Sequence, residues 1–143
     1  MLDGRLIGLD YGQKRIGVAL SDPLGITAQT LGFVDAQDKP IQKIQNVIIE
    51  YDVIQIVLGM PYHTHSKDQE TELGRQVKEF AQLLEESIHI PIVFWDERFS
   101  SSAVDRHLVN SGVRRDARKQ VRDGMAAAFM LQGYMESLHR KST

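Results

Sequence analysis

Residues 6–22 read LIGLDYGQKRIGVALSD. Two apolar runs, LIGL and IGVAL, flank the polar link DYGQKR. A link this short predicts two antiparallel strands joined by a tight turn. The first run ends on an acid, Asp10, which is followed by Gly12, Lys14 and Arg15. That grouping suits an ordinary turn, because Asp and Gly both favour turn backbone. It equally suits a site that holds a metal ion and a phosphate. The stretch by itself leaves both readings open.

Outward from it the pattern predicts strands over 4–10, 15–21 and 26–34, with turns at Asp10–Lys14 and Asp22–Gly25. Connections of that length make an antiparallel meander. The rhythm then changes. PIQKIQNVIIEY places Ile41, Ile44, Val47 and Ile48 at helical spacing after Pro40, a residue suited to a first helical turn. VIQIVLG (53–59) is a short buried strand. Residues 68–87 form an amphipathic helix pattern with Leu73, Val77, Phe80, Ala81 and Leu84 on one stripe. IPIVFW (90–95) reads as a further strand, with Trp95 a core residue rather than a platform for bases. SSAVDRHLVNSG starts on a capping box, Ser102 with Asp105, and stops at Gly112. A last helix covers about 116–140. The order β-β-β-α-β-α-β-α-α predicts an α/β fold over residues 1–143 as one domain: a mixed five-stranded sheet, its first three strands a meander, with helices on both faces.

Composition narrows the function classes. The 143 residues are 42% hydrophobic and 25% charged, as in an ordinary globular domain. With no cysteine, disulfides, thiolate metal sites and a cysteine nucleophile are excluded. No apolar run approaches the ~20 residues of a membrane span, and the start carries no leader-like segment. A cytoplasmic protein without membrane contact is expected. The formal net charge is −2, yet residues 98–122 hold seven cations against two acids, a net of +5 that leaves −7 on the remainder. Such a patch attracts phosphate, because nearby charge outweighs the screened total; it also fits a solvated helix face.

In open α/β sheets ligands bind beyond the carboxyl ends of the strands. Asp10 ends the first strand and Asp96 and Glu97 follow the fifth, so both groups lie where that rule points. Asp123, early in the last helix, stands one turn before Ala126 and Ala127, residues small enough to let a helix approach the sheet. Three carboxylates gathered in one crevice resist ionising together unless a hard cation joins them. Two such ions about 4 Å apart would activate water and stabilise a leaving oxygen in phosphodiester cleavage. Each acid also has a structural reading: a turn for Asp10, an ion pair for Glu97, a surface position near Lys119 for Asp123. Lys14, Arg15 and Arg98 stand beside these acids and suit either phosphate contact or ion pairing. His63 and His65 form an H-x-H without an evident third ligand for zinc, and Ser100, Ser101 and Ser102 read as helix caps.

Four motifs taken together are recognisable. LIGLDYGQKRIGVALSD, IVLGMP, IPIVFWDERFSSSAV and VRDGMAAAFMLQGYM, in this order and spacing, resemble the YqgF family over nearly the whole chain. Those proteins are described as pre-16S rRNA nucleases or Holliday-junction-resolvase-like nucleases with an RNase H-like fold. The resemblance implies catalytic, metal-binding roles for Asp10, Glu97 and Asp123, with Mg²⁺ or Mn²⁺ as cofactor. Arg98 matches the arginine of the family's D-E-R motif, Gly59 and Pro61 match its G-x-P, and Arg75 and Phe80 match helix positions. The chain departs after G-x-P, where His65 and Ser66 replace an aspartate and glycine, and Met60 replaces a leucine.

The function this implies is a metal-dependent nuclease acting on structured nucleic acid, above all in maturation of the 16S rRNA 5′ end. Its partner would be precursor rRNA or branched DNA. The chain itself would be a monomer or a homodimer. Lys14, Arg15, Arg98, Arg114, Arg115, Arg118 and Lys119 would hold the phosphate backbone without reading bases. Two alternatives stand beside it: a non-catalytic nucleic-acid-binding factor on the same fold, and a Holliday-junction resolvase acting on DNA. An actin-like or sugar-kinase ATPase fits poorly, since no second D-x-G and no second lobe are present.

Overall fold

A computed structural model of the protein describes residues 4–61, 71–96 and 115–141, and in the last segment the side chains of 124–139. Five strands form one sheet: β1 (Arg5–Asp10), β2 (Arg15–Ser21), β3 (Ala28–Asp35), β4 (Val53–Met60) and β5 (Ile92–Asp96), in the order β3-β2-β1-β4-β5. The first three pair antiparallel, as their short turns require, whereas β4 and β5 join parallel to β1. Among the described residues three helices pack on this sheet: α1 (Pro40–Glu50), α2 (Glu72–Ser87) and α3 (Arg115–Lys141).

Strand alternation sends side chains to two separate cores. Ile7, Leu9, Ile16 and Val18 face α1 and α2, where they meet Ile44, Val77, Phe80 and Leu84. Leu6, Ala19 and Val57 face α3 and meet Ala127, Met130, Leu131 and Met135. Both faces of β1 and β2 are therefore covered, which explains why these strands read as continuous apolar runs rather than as alternating ones. Trp95 lies in the α3-side core, edge-to-face with Tyr134 at 5.5 Å and 79°, as its core reading expects.

Several element limits differ from the sequence reading, most of them by one residue. The second helix starts at Glu72, not at 68. Thr71 is extended (φ −77°, ψ 163°), and its hydroxyl accepts the Gly74 N–H at 2.8 Å. An N-cap in that conformation cannot continue a helix through itself. β3 starts at Ala28 rather than 26, because the Asp22 carboxylate accepts the N–H groups of Ile26 (2.7 Å) and Thr27 (3.0 Å) and holds both in the turn. β5 covers 92–96 rather than 90–95. α1 begins on Pro40 as expected, at a first-turn position whose N–H would have no helical partner. The expected helix with its Ser102–Asp105 box lies outside the described residues, as do Ser100, Ser101, His63 and His65. Among the described residues no helix is long and apolar enough to cross a membrane.

Candidate active site

The sheet order fixes the rim on which a site can form. β1, β4 and β5 run parallel, so Asp10, Met60 and Asp96 finish at one edge, with Met60 paired to Asp96. β4 lies between β1 and β5. Asp10 and Asp96 thus stand two strand spacings apart, about 10 Å.

The face of Asp10 follows from its neighbours. Leu6 belongs to the α3-side core, and Gly8 lies directly under α3. Ile7 and Leu9 point the other way. Asp10, still in the ladder opposite Gly17, keeps the parity of Leu6 and Gly8 and is half-buried on the α3 face. Tyr11 turns back to the opposite core, its ring 5.0 Å from that of Phe80. Phe80 is accordingly a core residue, and Arg75 pairs with Glu72 at 2.5 Å on the exposed side of α2.

α3 reaches this rim because small residues let it close on the sheet. A Cβ at Gly8 would lie 3.0 Å from Leu131 Cβ and 3.1 Å from the Ala127 carbonyl oxygen. A Cβ at Gly124 would run into Thr30 Oγ1 and lie 3.1 Å from the Gly32 carbonyl oxygen. Further along the helix, Gln132 accepts the Ala28 N–H and donates to the Ile26 carbonyl. As the helix advances from Gly124 to Gln132, its contacts therefore retreat from Gly32 of β3 to Ala28 at its start and Ile26 in the turn before it. β3 is parallel to β1, since both are antiparallel to β2. The helix thus runs antiparallel to β1, and its residues before 124 extend past the edge where Asp10 ends.

The consequence for the acids is direct. From the Gly8–Ala127 contact, Asp10 lies two residues along the strand, about 6.6 Å. Position 123 lies four residues back along the helix, about 6 Å in the same direction. Strand and helix thereby carry Asp10 and Asp123 to one rim by matching steps. The helix positions of Arg115, Arg118 and Lys119 extend farther in that direction, about 13 Å from Gly124 to the first residue. Glu97, Arg98 and Arg114 lie outside the described residues.

The link after Asp10 is held from several sides. A Cβ at Gly12 would lie 2.6 Å from the Arg15 carbonyl oxygen, so the turn closes tightly only on glycine. The Gln37 amide donates to the Gln13 carbonyl at 2.8 Å, and the Ala36 N–H donates to the Lys14 carbonyl at 2.9 Å. Lys14 is exposed, and Arg15 is half-buried with its guanidinium 5.2 Å from the centre of the Phe33 ring. Among the described residues no three His, Asp or Glu side chains gather to hold an ion. That set omits Glu97 and the side chain of Asp123. The donors of the expected set are carboxylate oxygens alone, the chemistry a hard divalent ion takes.

Residues 4–137 match the model of the RuvX family, described as Holliday junction resolvase. The chain belongs to this family. The RuvX match extends from the start of β1 to near the end of α3, so it includes every element that forms the rim. A relative from Lachnospira eligens is 43% identical over 141 residues, covering 93% of this chain and 97% of its own length. One from Desulforamulus reducens is 44% identical over 135 residues, covering 93% and 97%. Both carry the name "Putative pre-16S rRNA nuclease". Among solved structures, the yeast mitochondrial resolvase Ydc2 superposes with a TM-score of 0.61 at 10% identity, over 99% of this chain and 81% of that one. Thermus thermophilus RuvC in complex with a Holliday junction superposes with 0.56 at 14% identity, over 95% and 96%. These two establish the RNase H-like resolvase fold, as the resemblance implied. As a RuvX member the chain is a nuclease, an enzyme that hydrolyses phosphodiester bonds, and nucleic acid is its partner class.

Proposed function

We propose that this chain cleaves structured precursor 16S rRNA with the help of a divalent ion, Mg²⁺ or Mn²⁺, held by Asp10, Glu97 and Asp123. The observation that supports it most is the matched offset of Asp10 and Asp123 from the Gly8–Ala127 contact. β1 ends at this rim and the antiparallel α3 passes over it near position 123, which is what would let acids distant in sequence meet there. Glu97 is next in sequence after Asp96, which ends β5 at that edge. When bound, the ion would polarise the phosphodiester and lower the pKa of the attacking water. The protein's own part is to hold the carboxylates at fixed separation and to bind the backbone on either side. Lys14 and Arg15, in and just after the turn, suit the phosphates next to the scissile bond. Arg98, Arg114, Arg115, Arg118 and Lys119 suit further backbone phosphates, contacts that position without reading sequence. The names of the relatives favour precursor rRNA. The description of the family favours a second substrate, four-way DNA junctions.

The test is hydrolysis of 5′-extended 16S rRNA fragments and of four-way DNA junctions with Mg²⁺ or Mn²⁺, by the wild type, Asp10→Asn and Asp123→Asn. Cleavage should fail in both variants and on chelation, and the better substrate decides between RNA and DNA. Cleavage that survives both substitutions removes the proposed site. Salt-dependent binding with no cleavage by the wild type would instead make the chain a binding factor.

A further inference from the structure

Phe33 is an aromatic side chain that neither core uses among the described residues. It is 41% exposed, although it sits in a strand whose neighbour Val34 packs into the α1–α2 core. Its face is decided by a bulge. Thr30 pairs with Ala19 and Gly32 pairs with Val18, so Leu31 is an extra residue in β3. Gly32 takes φ +89°, a left-handed conformation that favours glycine. Without the extra residue, Phe33 would fall on the opposite face from Thr30. With it, both point to the α3 side, because Phe33 pairs with Gly17, which shares the parity of Ala19. Bulges of this kind re-aim a side chain and concentrate beside functional sites.

The re-aimed ring lies in the same cross-strand row as the proposed site. Asp10 pairs with Gly17, and Gly17 pairs with Phe33. The separation is two strand spacings, about 10 Å, within the reach of one or two nucleotides from a phosphate at Asp10. Arg15 covers the ring at 5.2 Å, a cation over an aromatic face. The pair resembles the platforms on which single-stranded nucleic acids stack their bases, an aromatic ring combined with a basic group that follows the backbone.

We infer that Phe33, backed by Arg15, stacks an unpaired base of the nucleic acid whose phosphodiester lies at Asp10. This rests on the nuclease reading only for the position of the phosphodiester. The platform reads no base identity, since every base offers a π face. It favours substrates with an unpaired nucleotide beside the scissile bond over continuous duplex.

The probe is a mixed-sequence single-stranded RNA oligonucleotide carrying one 2-aminopurine, titrated with the full-length protein in EDTA so that binding is read without turnover. Wild type should bind and quench the 2-aminopurine. Phe33→Leu, which keeps apolar bulk, should bind about tenfold weaker or more and lose the quenching. Phe33→Trp should restore both. The salt slope should stay unchanged in the Phe33 variants, because no counterion is involved, and should fall by about 0.7 in Arg15→Ala. A folded Phe33→Leu that binds and quenches like wild type overturns the inference, and so does a wild type that fails to bind the oligonucleotide at low salt. Loss of cleavage in Asp10→Asn together with unchanged binding in Phe33→Leu would retain the nuclease and remove the platform. Cleavage unaffected in Asp10→Asn with binding lost in Phe33→Leu would do the reverse.

Discussion

Gly8 of β1 lies against the backbone of Ala127 of α3, so close that a Cβ there would stand 3.1 Å from the Ala127 carbonyl oxygen. This contact sets the height of the helix over the sheet beside Asp10, and with it the room that the proposed site gives Asp10 and Asp123. Gly8→Val must push α3 outward, and overpacking of this kind costs about 1–3 kcal/mol. Urea denaturation should show that loss. Cleavage should fall by more than the loss of folded protein explains, because the acids separate.

Gly124 makes the second close approach, to Thr30 and Gly32. Helix propensity alone would make Gly124→Ala stabilising by up to about 1 kcal/mol. The collision with Thr30 Oγ1 reverses the sign, and the variant should be destabilised. Thr30→Ala in the same chain should recover part of the loss. A double-mutant cycle with favourable coupling between the two positions checks it.

Ser21 is the buried polar residue of the sheet, 1% exposed among the described residues. Its hydroxyl accepts the Leu6 N–H at 2.8 Å and donates to the Asp22 carbonyl at 3.0 Å. Ser21→Ala strands a buried N–H at the start of β1. The expected loss is about 1–3 kcal/mol, measured by denaturation, with faster exchange of the Leu6 amide hydrogen.

Asp22 organises the turn before β3. Its carboxyl is held below the ordinary value of 3.8, chiefly by the N–H of Thr27 and also by that of Ile26. The ionised form is the one the fold prefers. Its stabilising effect is present above the unfolded value and is lost as pH falls through the lower folded value. Asp22→Asn keeps an acceptor oxygen but no charge. Wild type should exceed it in stability at pH 7, and the difference should close at pH well below 3.8.

Divalent ions should stabilise the wild type if the three acids hold them. At a hundredfold excess over Kd the gain is about 2.7 kcal/mol, a clear rise in Tm with Mn²⁺. Asp10→Asn and Asp123→Asn should each lose most of that rise while melting near the wild type without metal.

The periodicities carried most of the architecture. Apolar runs over 4–10 and 15–21, joined by a link too short for a crossover, could only give an antiparallel pair. Helical spacing in 40–51 and 68–87 separated the later strands. The acids were legible as types and as strand-end positions. The face of Asp10 was less so, because parity on β1 means nothing until Gly8 is seen beneath α3. The start of α2 was missed, since the apolar stripe gives no sign that Thr71 adopts extended backbone and caps the helix. Phe33 was missed for a related reason: alternation counted through Gly32 puts it on the wrong face.

The order of residues alone determined which segments pair, which ones coil and which chemistry the chain carries, because hydrophobic period and link length act locally. Tertiary structure decided which distant groups meet. The antiparallel run of α3 over β1 and the extra residue at Leu31 are set by packing between elements far apart in sequence. No local pattern encodes how closely two backbones can approach.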